Sequence, residues 1–358
     1  MIEIDGSIGE GGGQVLRTSL ALAAVLGREV RIFNIRAGRP EPGLKAQHLT
    51  SATAITQVSS AISKGLQIGS TEFVFSPGRI KTGFFRFDVG TAGSIALVLQ
   101  TLMPLLPFAP GPLDLEITGG TDVRWSPPID YLRLVTLPLL ERMNVHVSVL
   151  VSRRGHFPKG GGIVRLSSTP SSVLKNILGT VSGSVNAVEG VSHSTNLPVT
   201  VAERQAAAAA QVIEQKTLPR PQIRVEHSQD GPGPGSGIVL RALTNNGALL
   251  GGDSLGERGR PAEVVGEDAG GKLVEEMKSG AFLDRHMGDM IVPYAALAEG
   301  VSDVSLSQVT LHTLTNVRVA ELVAGVHFDP FSQSEMPGRL RVKGLGLRRE
   351  EVSVFPRE

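Results

Sequence analysis

The sequence predicts an α+β fold in which one unit of strands and helices is repeated and a smaller α/β segment interrupts the last copy. The order strand, helix, strand, helix, strand, strand occurs early in the chain and then recurs. At about 181–280 this order changes, which indicates an insertion. Matching residues of the first two units lie 83, 80 and 82 positions apart, in the pairs Asp5 and Asp88, Gly13 and Gly93, Gly38 and Gly120.

In chain order, the first unit has predicted strands at 2–5, 29–35 and 72–76, and predicted helices at 13–26 and 44–63. Gly27 favours the end of the first helix, because glycine readily adopts the left-handed conformation found after a helix. The second unit has predicted strands at 85–89, 113–118, 145–151 and 162–167, and predicted helices at 94–106 and 129–143. The uncharged run at 89–113 is long enough to span a membrane, but its four prolines favour a buried core helix instead.

The inserted segment has predicted strands at 183–190, 222–227, 237–242 and 248–255, with helices at 202–216 and 263–277. A third and less regular unit follows, with helices at 284–299 and 316–325 and strands at 304–309 and 339–343. We therefore predict a discontinuous large domain at 1–180 and 281–343, an inserted α/β domain at 181–280, and a charged, loosely held tail at 344–358.

The composition limits the function classes that the chain can have. Of 358 residues, 41% are hydrophobic and 19% charged, which is typical of a globular protein with a substantial core. The net charge is +1, so binding of nucleic acid requires a local basic patch, and we expect no membrane partner. The chain has no cysteine, which excludes disulfides and thiolate sites. With no signal-peptide pattern at the N-terminus, this favours a cytoplasmic protein.

A glycine-rich turn between the first strand and the first helix is the first candidate site. Backbone amides of Gly11, Gly12 and Gly13 could bind an anion at the positive end of the helix. Glu10 could hold a divalent cation and Arg17 could contact phosphate. The structural alternative is an ordinary glycine-rich turn.

A basic turn with Arg36 and Arg39 follows the second strand. From Arg28 to Lys45 the chain has five basic residues and two acidic ones, a local excess suited to phosphate ligands. The alternative is a solvated basic turn without a ligand.

The third candidate is His312, which we expect in the turn between the strand at 304–309 and the helix at 316–325. A neutral imidazole can be a nucleophile at physiological pH. A lone histidine is more often a loop or core residue, but this one occupies the same turn of its unit as 36–39 and 118–121. The eight histidines include no closely spaced pair suited to zinc, and G-x-S-x-G is absent, which disfavours zinc and serine hydrolases.

An ordered set of motifs spans nearly the whole chain. It comprises Asp5-Gly6, Glu10-Gly-Gly-Gly-Gln14-x-Leu-Arg17, Arg36-Ala-Gly-Arg39, Pro42-Gly-Leu44, Gln47-His48-Leu-Thr50, Gly90-x-Ala-Gly93, Leu97-Val-Leu-Gln100-Thr, Gly119-Gly-Thr121, Gly160-Gly-Gly162 and His312-x-Leu-Thr-Asn316. In content and order this set resembles RNA 3′-terminal phosphate cyclases.

The resemblance implies three β-α-β-α-β-β units with a thioredoxin-like insert, and a ligase-like reaction. In such enzymes a histidine, matched here by His312, attacks the α-phosphate of ATP to form a histidyl-AMP. AMP then passes to the RNA 3′-phosphate, and the neighbouring 2′-hydroxyl closes a 2′,3′-cyclic phosphate. A homodimer is compatible with this picture.

The resemblance also implies ligand roles. It implies phosphate contacts from the glycines and arginines described above, which are Gly11, Gly12, Gly13, Arg17, Arg36 and Arg39. It also implies that Glu10 and His48 bind Mg²⁺ or Mn²⁺. Nucleotide contacts fall on Gln100, Pro127, His286, Asp289 and Met290.

Where many relatives carry Tyr and Gln around the shared aspartate, this chain has His286 and Met290. Imidazole can stack on adenine, but a thioether does not reproduce the hydrogen bonds of an amide, so the preference for ATP over GTP stays open. Two rival functions remain. One is a non-catalytic cyclase-like protein that binds RNA or assists ribosome assembly, which the presence of His312 disfavours. The other is an enolpyruvyl transferase of similar repeat architecture.

Overall fold

The chain begins with a four-stranded sheet and two helices in the computed structural model, which describes residues 1–216, 218–331 and 333–352. Its elements are β1 (Ile2–Asp5), α1 (Gly13–Leu26), β2 (Val30–Phe33), α2 (Ala46–Val58), β3 (Ile62–Lys64) and β4 (Phe73–Ser76). The strand order is β1-β2-β4-β3, with β1 and β2 parallel and the other pairs antiparallel. The helix predicted at 44–63 is too long: Ser60 has a φ of 50°, so the helix cannot continue through it, and β3 follows.

A second sheet has the same strand order and the same directions. Its elements are β5 (Gly83–Asp88), α3 (Ile95–Leu102), a 3₁₀ helix (Met103–Phe108), β6 (Leu113–Gly119), α4 (Ile129–Tyr131), a π-helical turn (Leu132–Thr136), α5 (Leu137–Arg142), β7 (His146–Arg153) and β8 (Gly162–Thr169). The order is β5-β6-β8-β7. Asp5 and Asp88 end the first strand of each sheet, and each accepts a hydrogen bond from the backbone amide two residues later, at 2.9 and 2.8 Å.

The segment at 181–280 forms a sheet and a core of its own. After the short strand β9 (Leu178–Gly179) it contains β10 (Val185–Thr195), α6 (Val199–Glu214), β11 (Gln222–Ser228), β12 (Gly235–Thr244), β13 (Leu249–Leu255) and α7 (Ala262–Lys278). The order is β11-β10-β12-β13, with only β10 and β11 parallel. A hydrophobic cluster that includes Val188, Ala209, Ile213 and Leu240 packs within this segment.

The remaining elements resume the sheet that β9 begins. They are α8 (Arg285–Met290), α9 (Val292–Leu297), β14 (Val301–Leu306), α10 (Leu311–Ala324), β15 (Gly338–Lys343) and α11 (Arg349–Val352). β14 pairs in parallel with β9 and antiparallel with β15, so this three-stranded sheet flanks the insertion in sequence. The expectation of a loose tail is wrong for residues 344–352, because backbone amides at 344–347 donate to carbonyls of residues 296–300. Residues 353–358 lie outside the described part.

Prolines interrupt three helices that the sequence predicted as continuous. Pro104, Pro138 and Pro293 fall within the predicted helices at 94–106, 129–143 and 284–299. A proline has no amide hydrogen, so the carbonyl four residues earlier loses its helical partner. The freed carbonyl of Leu134 accepts from the Arg241 side chain at 2.9 Å, and that of Asp289 accepts from the Asn316 side chain at 2.8 Å. The second of these bonds lies beside the candidate site.

The helix that carries His312 begins earlier than the sequence predicted. Thr310, not Asn316, is its N-cap, and the Thr310 hydroxyl accepts from the amide of Thr313 at 3.1 Å. His312 is therefore the second residue of α10 and does not lie in the turn before it. In the part of the chain that the structure describes, no helix is long and apolar enough to cross a membrane.

Candidate active site

The N-terminus of α1 forms one side of the site. Gly12 is the N-cap, and no side chain caps the first amides of the helix. Gly11 has a φ of 58°, which favours glycine at this position. The uncapped amides and the positive end of the helix dipole make this turn able to bind an anion.

The N-terminus of α10 lies against α1 and forms the other side. The side-chain amide of Gln14 donates to the backbone carbonyl of His312 at 3.3 Å. The Thr18 hydroxyl donates to the side-chain oxygen of Asn316 at 2.6 Å. A Cβ on Gly9 would lie only 3.1 Å from Cβ of Thr315, so glycine permits this close approach. Segments from the beginning and the end of the described chain thus bring two helix N-termini together.

His312 and Glu10 form the central pair. Nδ1 of His312 lies 2.9 Å from Oε2 of Glu10, and the imidazole is 46% exposed. In the neutral ring this contact assigns the proton to Nδ1, which donates to the carboxylate. The lone pair then lies on Nε2, the nitrogen that a nucleophilic role requires.

Two arginines approach the same glycine turn. Nη2 of Arg39 lies 3.8 Å from Oε1 of Glu10, and a Cβ on Gly12 would lie 3.5 Å from the same nitrogen. A Cβ on Gly13 would lie 3.1 Å from Nη1 of Arg17. Burial lowers the pKa of Arg17 to about 10, although Asp289 and Glu10 oppose this shift, so its guanidinium is charged at neutral pH.

His48 also faces Gly13. Burial, followed by the charges of Arg17, Arg36 and Lys45, lowers the pKa of His48 to about 3, so the ring is neutral. Its Nδ1 accepts the backbone amide of Lys45 at 3.2 Å. The remaining proton is therefore on Nε2, which makes this nitrogen a hydrogen-bond donor.

Arg36 is hydrogen-bonded to the backbone of its own turn. Its Nη1 donates to the carbonyls of Glu41 and Gly43 at 2.8 and 3.1 Å. Burial, with the charge of Arg39 next, lowers its pKa. In this structure Arg36 shapes the turn at 41–43, and its predicted contact with phosphate stays a prediction.

A pocket beside Arg17 collects three of the predicted nucleotide contacts. Gln100, Asp289 and Met290 border it together with Arg17 and Asn316, and its volume is about 30 Å³, which is room for water and not for a purine ring. Burial raises the pKa of Asp289, whose carboxylate accepts from Gln14 at 3.1 Å.

The other two predicted nucleotide contacts do not border this pocket. The exposed His286 ring meets Tyr131 edge-on, with ring centroids 5.8 Å apart. Tyr131 donates to the buried Asp284 carboxylate at 2.6 Å. Pro127 lies in the loop that leads to α4.

Comparison with known proteins gives the family of the chain. The family profile described as RNA 3′-terminal phosphate cyclase matches residues 8–329. The chain belongs to this family. Proteins named RNA 3′-terminal phosphate cyclase from Hyperthermus butylicus and Ignicoccus hospitalis are 50% and 49% identical to it, over 96% and 98% of this chain and 98% and 100% of theirs. The solved enolpyruvyl transferase NikO from Streptomyces tendae is 12% identical, with a TM-score of 0.39 over 96% of this chain and 48% of its own. A similarity at this level establishes neither a shared fold nor a shared function.

The sequence of this cyclase-family chain predicted no role for three polar residues of the site. Gln14 and Thr18 of α1 and Asn316 of α10 hold the two helices in register. The signal was present, because Gln14, Arg17 and Thr18 are spaced as one polar stripe on a helix whose other residues are small or apolar. The partners of Gln14 and Thr18 in α10 each lie 298 residues away, which no local pattern indicates.

Proposed function

We propose that this chain uses ATP to convert the 3′-terminal phosphate of an RNA into a 2′,3′-cyclic phosphodiester. Membership of the cyclase family supports the overall reaction. The pairing of His312 with Glu10, at the junction of two helix N-termini, supports the mechanism.

In the first step Nε2 of His312 attacks the α-phosphorus of ATP. A nitrogen–phosphorus bond forms, the bond to the oxygen that bridges to the β-phosphorus breaks, and pyrophosphate leaves. The ring gains positive charge while its Nδ1 proton stays hydrogen-bonded to the Glu10 carboxylate. A charge-assisted hydrogen bond of this kind stabilises the product by about 1.5–3 kcal/mol. Because His312 and Glu10 are partly exposed, we expect a value at the lower end of this range.

In the second step an oxygen of the RNA 3′-phosphate attacks the same phosphorus, the nitrogen–phosphorus bond breaks, AMP moves to the RNA, and His312 is regenerated. The 2′-hydroxyl then attacks the 3′-phosphorus and loses its proton to solvent, the bond between that phosphorus and the oxygen that bridges to AMP breaks, and AMP leaves. Because the ribose already holds the hydroxyl close to that phosphorus, proximity supplies much of this last step.

Arg17, Arg39 and the amides at Gly11, Gly12 and Gly13 would bind the phosphates. The uncapped start of α1 and the positions of both guanidinium groups support these roles.

Glu10 fits a magnesium or manganese ion, since Mg²⁺ is commonly bound by one or two carboxylates together with substrate phosphates. Such an ion would neutralise charge on the triphosphate. His48 does not fit as a second ligand, because Nδ1 is engaged by the Lys45 amide and Nε2 carries the proton. We propose instead that Nε2 of His48 donates to a phosphate oxygen.

Several finer predictions depend on the resemblance. We propose that Gln100, Pro127, His286, Asp289 and Met290 contact the adenosine, that the three units are copies of one another, and that the insert is thioredoxin-like. We also propose a cytoplasmic protein, with a homodimer as one assembly to test by sedimentation.

The decisive test is incubation of the protein with ATP labelled at the α-phosphate. We expect acid-labile label on the wild-type protein and none on His312→Ala. His327→Ala is the matched control, because His327 also pairs with a glutamate, Glu321, at 3.2 Å but lies beyond the far end of α10. Label that persists in His312→Ala would contradict the mechanism.

A second measurement tests the substrate. RNA that ends in a 3′-phosphate should become resistant to phosphatase when ATP and Mg²⁺ are present, whereas RNA with a 3′-hydroxyl should be unchanged. RNA binding without label or conversion would instead favour the non-catalytic alternative.

A further inference from the structure

Asp122, His156 and His193 form a buried cluster away from the glycine turn. Among the residues that the structure describes, they are the one group of three or more potential metal ligands whose donor atoms all lie within 4.8 Å of one another. Their exposed fractions are 4%, 5% and 1%. Asp122 follows β6, His156 lies between β7 and β8, and His193 belongs to β10 of the insert. The three residues are far apart in sequence, which explains why the histidine spacing indicated no zinc site.

The donor atoms of this cluster lack partners. Oδ1 of Asp122, Nε2 of His156 and both ring nitrogens of His193 are buried without a hydrogen bond. Nε2 of His193 lies 3.7 Å from Oδ2 of Asp122, which is too long for a hydrogen bond between them. Unsatisfied polar atoms are unfavourable in a protein interior, so these four atoms are available to bind an ion or a water molecule.

The other carboxylate oxygen is held in place. Oδ2 of Asp122 accepts from the Thr121 hydroxyl at 2.7 Å and from Nη1 of Arg154 at 3.2 Å. These contacts fix the carboxylate and leave Oδ1 free, as outer partners do at metal sites. Neither ring nitrogen of His193 has a partner, so the neutral ring can offer a lone pair to an ion.

Two glycines of β12 provide space for the imidazoles. A Cβ on Gly235 would lie 2.5 Å from Cδ2 of His156, and a Cβ on Gly237 would lie 3.0 Å from Cε1 of His193. Residues two apart in a strand share one face, so this face accommodates both rings. The rings stack with centroids 5.5 Å apart.

We propose that Asp122, His156 and His193 bind one divalent transition-metal ion, with Zn²⁺ as the best fit and a fourth position open to water. Two imidazoles and one carboxylate suit zinc at bonds of about 2.0–2.2 Å, whereas Mg²⁺ and Ca²⁺ prefer oxygen. The ion links β10 of the insert to the loops of the second unit. Arg154 and His193 also border a pocket of about 440 Å³, which gives the ion a route to the site.

The test uses the full chain, freed of metal with a chelator and kept in excess Mg²⁺ so that a site at Glu10 is filled. Titration with Co²⁺ should give one equivalent per chain and visible bands of nitrogen and oxygen coordination, which Zn²⁺ then abolishes. Zn²⁺ should also raise the melting temperature. Absence of stoichiometric Co²⁺ or Zn²⁺ binding at micromolar free ion would overturn the proposal, because the buried atoms would then hold water only.

Variants locate the bound ion. His156→Phe, which keeps a ring over Gly235, and His193→Leu should each weaken binding by roughly tenfold or more, since even outer partners of a metal site contribute that much. His227→Gln is the matched control, because His227 borders the same pocket but lies outside the cluster. Binding that is lost in Glu10→Gln and retained in His156→Phe would place the ion at the glycine turn and refute the proposed site.

Discussion

Alanine at Gly13 should slow adenylylation of His312, whereas alanine at the adjacent Gly12 should not. Neither glycine has a positive φ, so neither substitution strains the backbone. Gly12 is the N-cap and Gly13 the first residue of α1, but the larger difference lies in what the new methyl group meets. At Gly13 a Cβ would lie 2.5 Å from Cδ2 of His48 and 3.1 Å from Nη1 of Arg17. At Gly12 nothing lies closer than 3.5 Å.

The magnitude follows from the required displacement. Carbon atoms pack at about 3.5–4.0 Å, so the His48 ring must move by about 1 Å. That movement disturbs the hydrogen bond between its Nδ1 and the amide of Lys45. It also carries Nε2 away from the phosphate oxygen to which we propose that it donates. A misplacement of about 1 Å costs on the order of 100-fold in rate.

The fold itself should tolerate the change. Alanine favours a helix over glycine by up to about 1 kcal/mol, which offsets the roughly 0.5–1.5 kcal/mol of the disturbed hydrogen bond. The measurement is the rate of label transfer from α-labelled ATP, with a urea denaturation curve for each variant. A Gly13→Ala rate within about threefold of wild type, or equal losses at Gly12 and Gly13, would refute the placement of His48 at the phosphates.

Two further predictions concern stability. With the protein kept in a metal chelator, Arg154→Met should lower the free energy of unfolding by about 3–5 kcal/mol, because it leaves the buried Asp122 carboxylate without its arginine and Asp130 with Arg133 alone. Arg133→Met, which removes the partly exposed partner of Asp130 and leaves Arg154 in place, should cost under about 1 kcal/mol. Equal losses for the two variants in urea denaturation would contradict this. Burial and nearby positive charges lower the pKa of His48 to about 3. Between that pH and about 6.5 the unfolded chain binds a proton that the folded chain does not, so the free energy of unfolding falls as the pH drops below about 6.5. His48→Gln should reduce the slope of that free energy against pH by up to about 1.4 kcal/mol per pH unit between about pH 6 and pH 4, and an unchanged slope would argue against a buried neutral ring.

Local chemistry was readable from the sequence. Turn and helix rules act over a few residues. They predicted the end of α1 at a glycine, and they marked the glycine turn, with its glutamate and arginine, as a candidate anion site. The bounds of α1 agree with the prediction for the same reason. The sequence also marked Glu10 and His312 as separate candidates.

Long-range partners could not be read in this way. The 2.9 Å contact between His312 and Glu10 depends on the packing of α10 against α1. The sequence predicted too late a start for α10, because Thr310 and not Asn316 caps the helix. The Asn316 side chain instead donates to the Asp289 carbonyl, which has no helical donor because residue 293 is proline. Similarly, the three ligand-type side chains at Asp122 meet only through the approach of β10 to the second unit.

The site's own carboxylates explain how positive charge is kept there before a nucleotide enters. Asp289 and Glu10 oppose the loss of the Arg17 charge on burial. The contact between Arg39 and Glu10, at 3.8 Å and partly exposed, is worth less than about 1 kcal/mol. Exchanging it for a phosphate oxygen therefore costs little, whereas the shorter contact of Glu10 with His312 can persist. In the proposed mechanism Arg39 therefore moves to the phosphates while Glu10 keeps His312 oriented for attack.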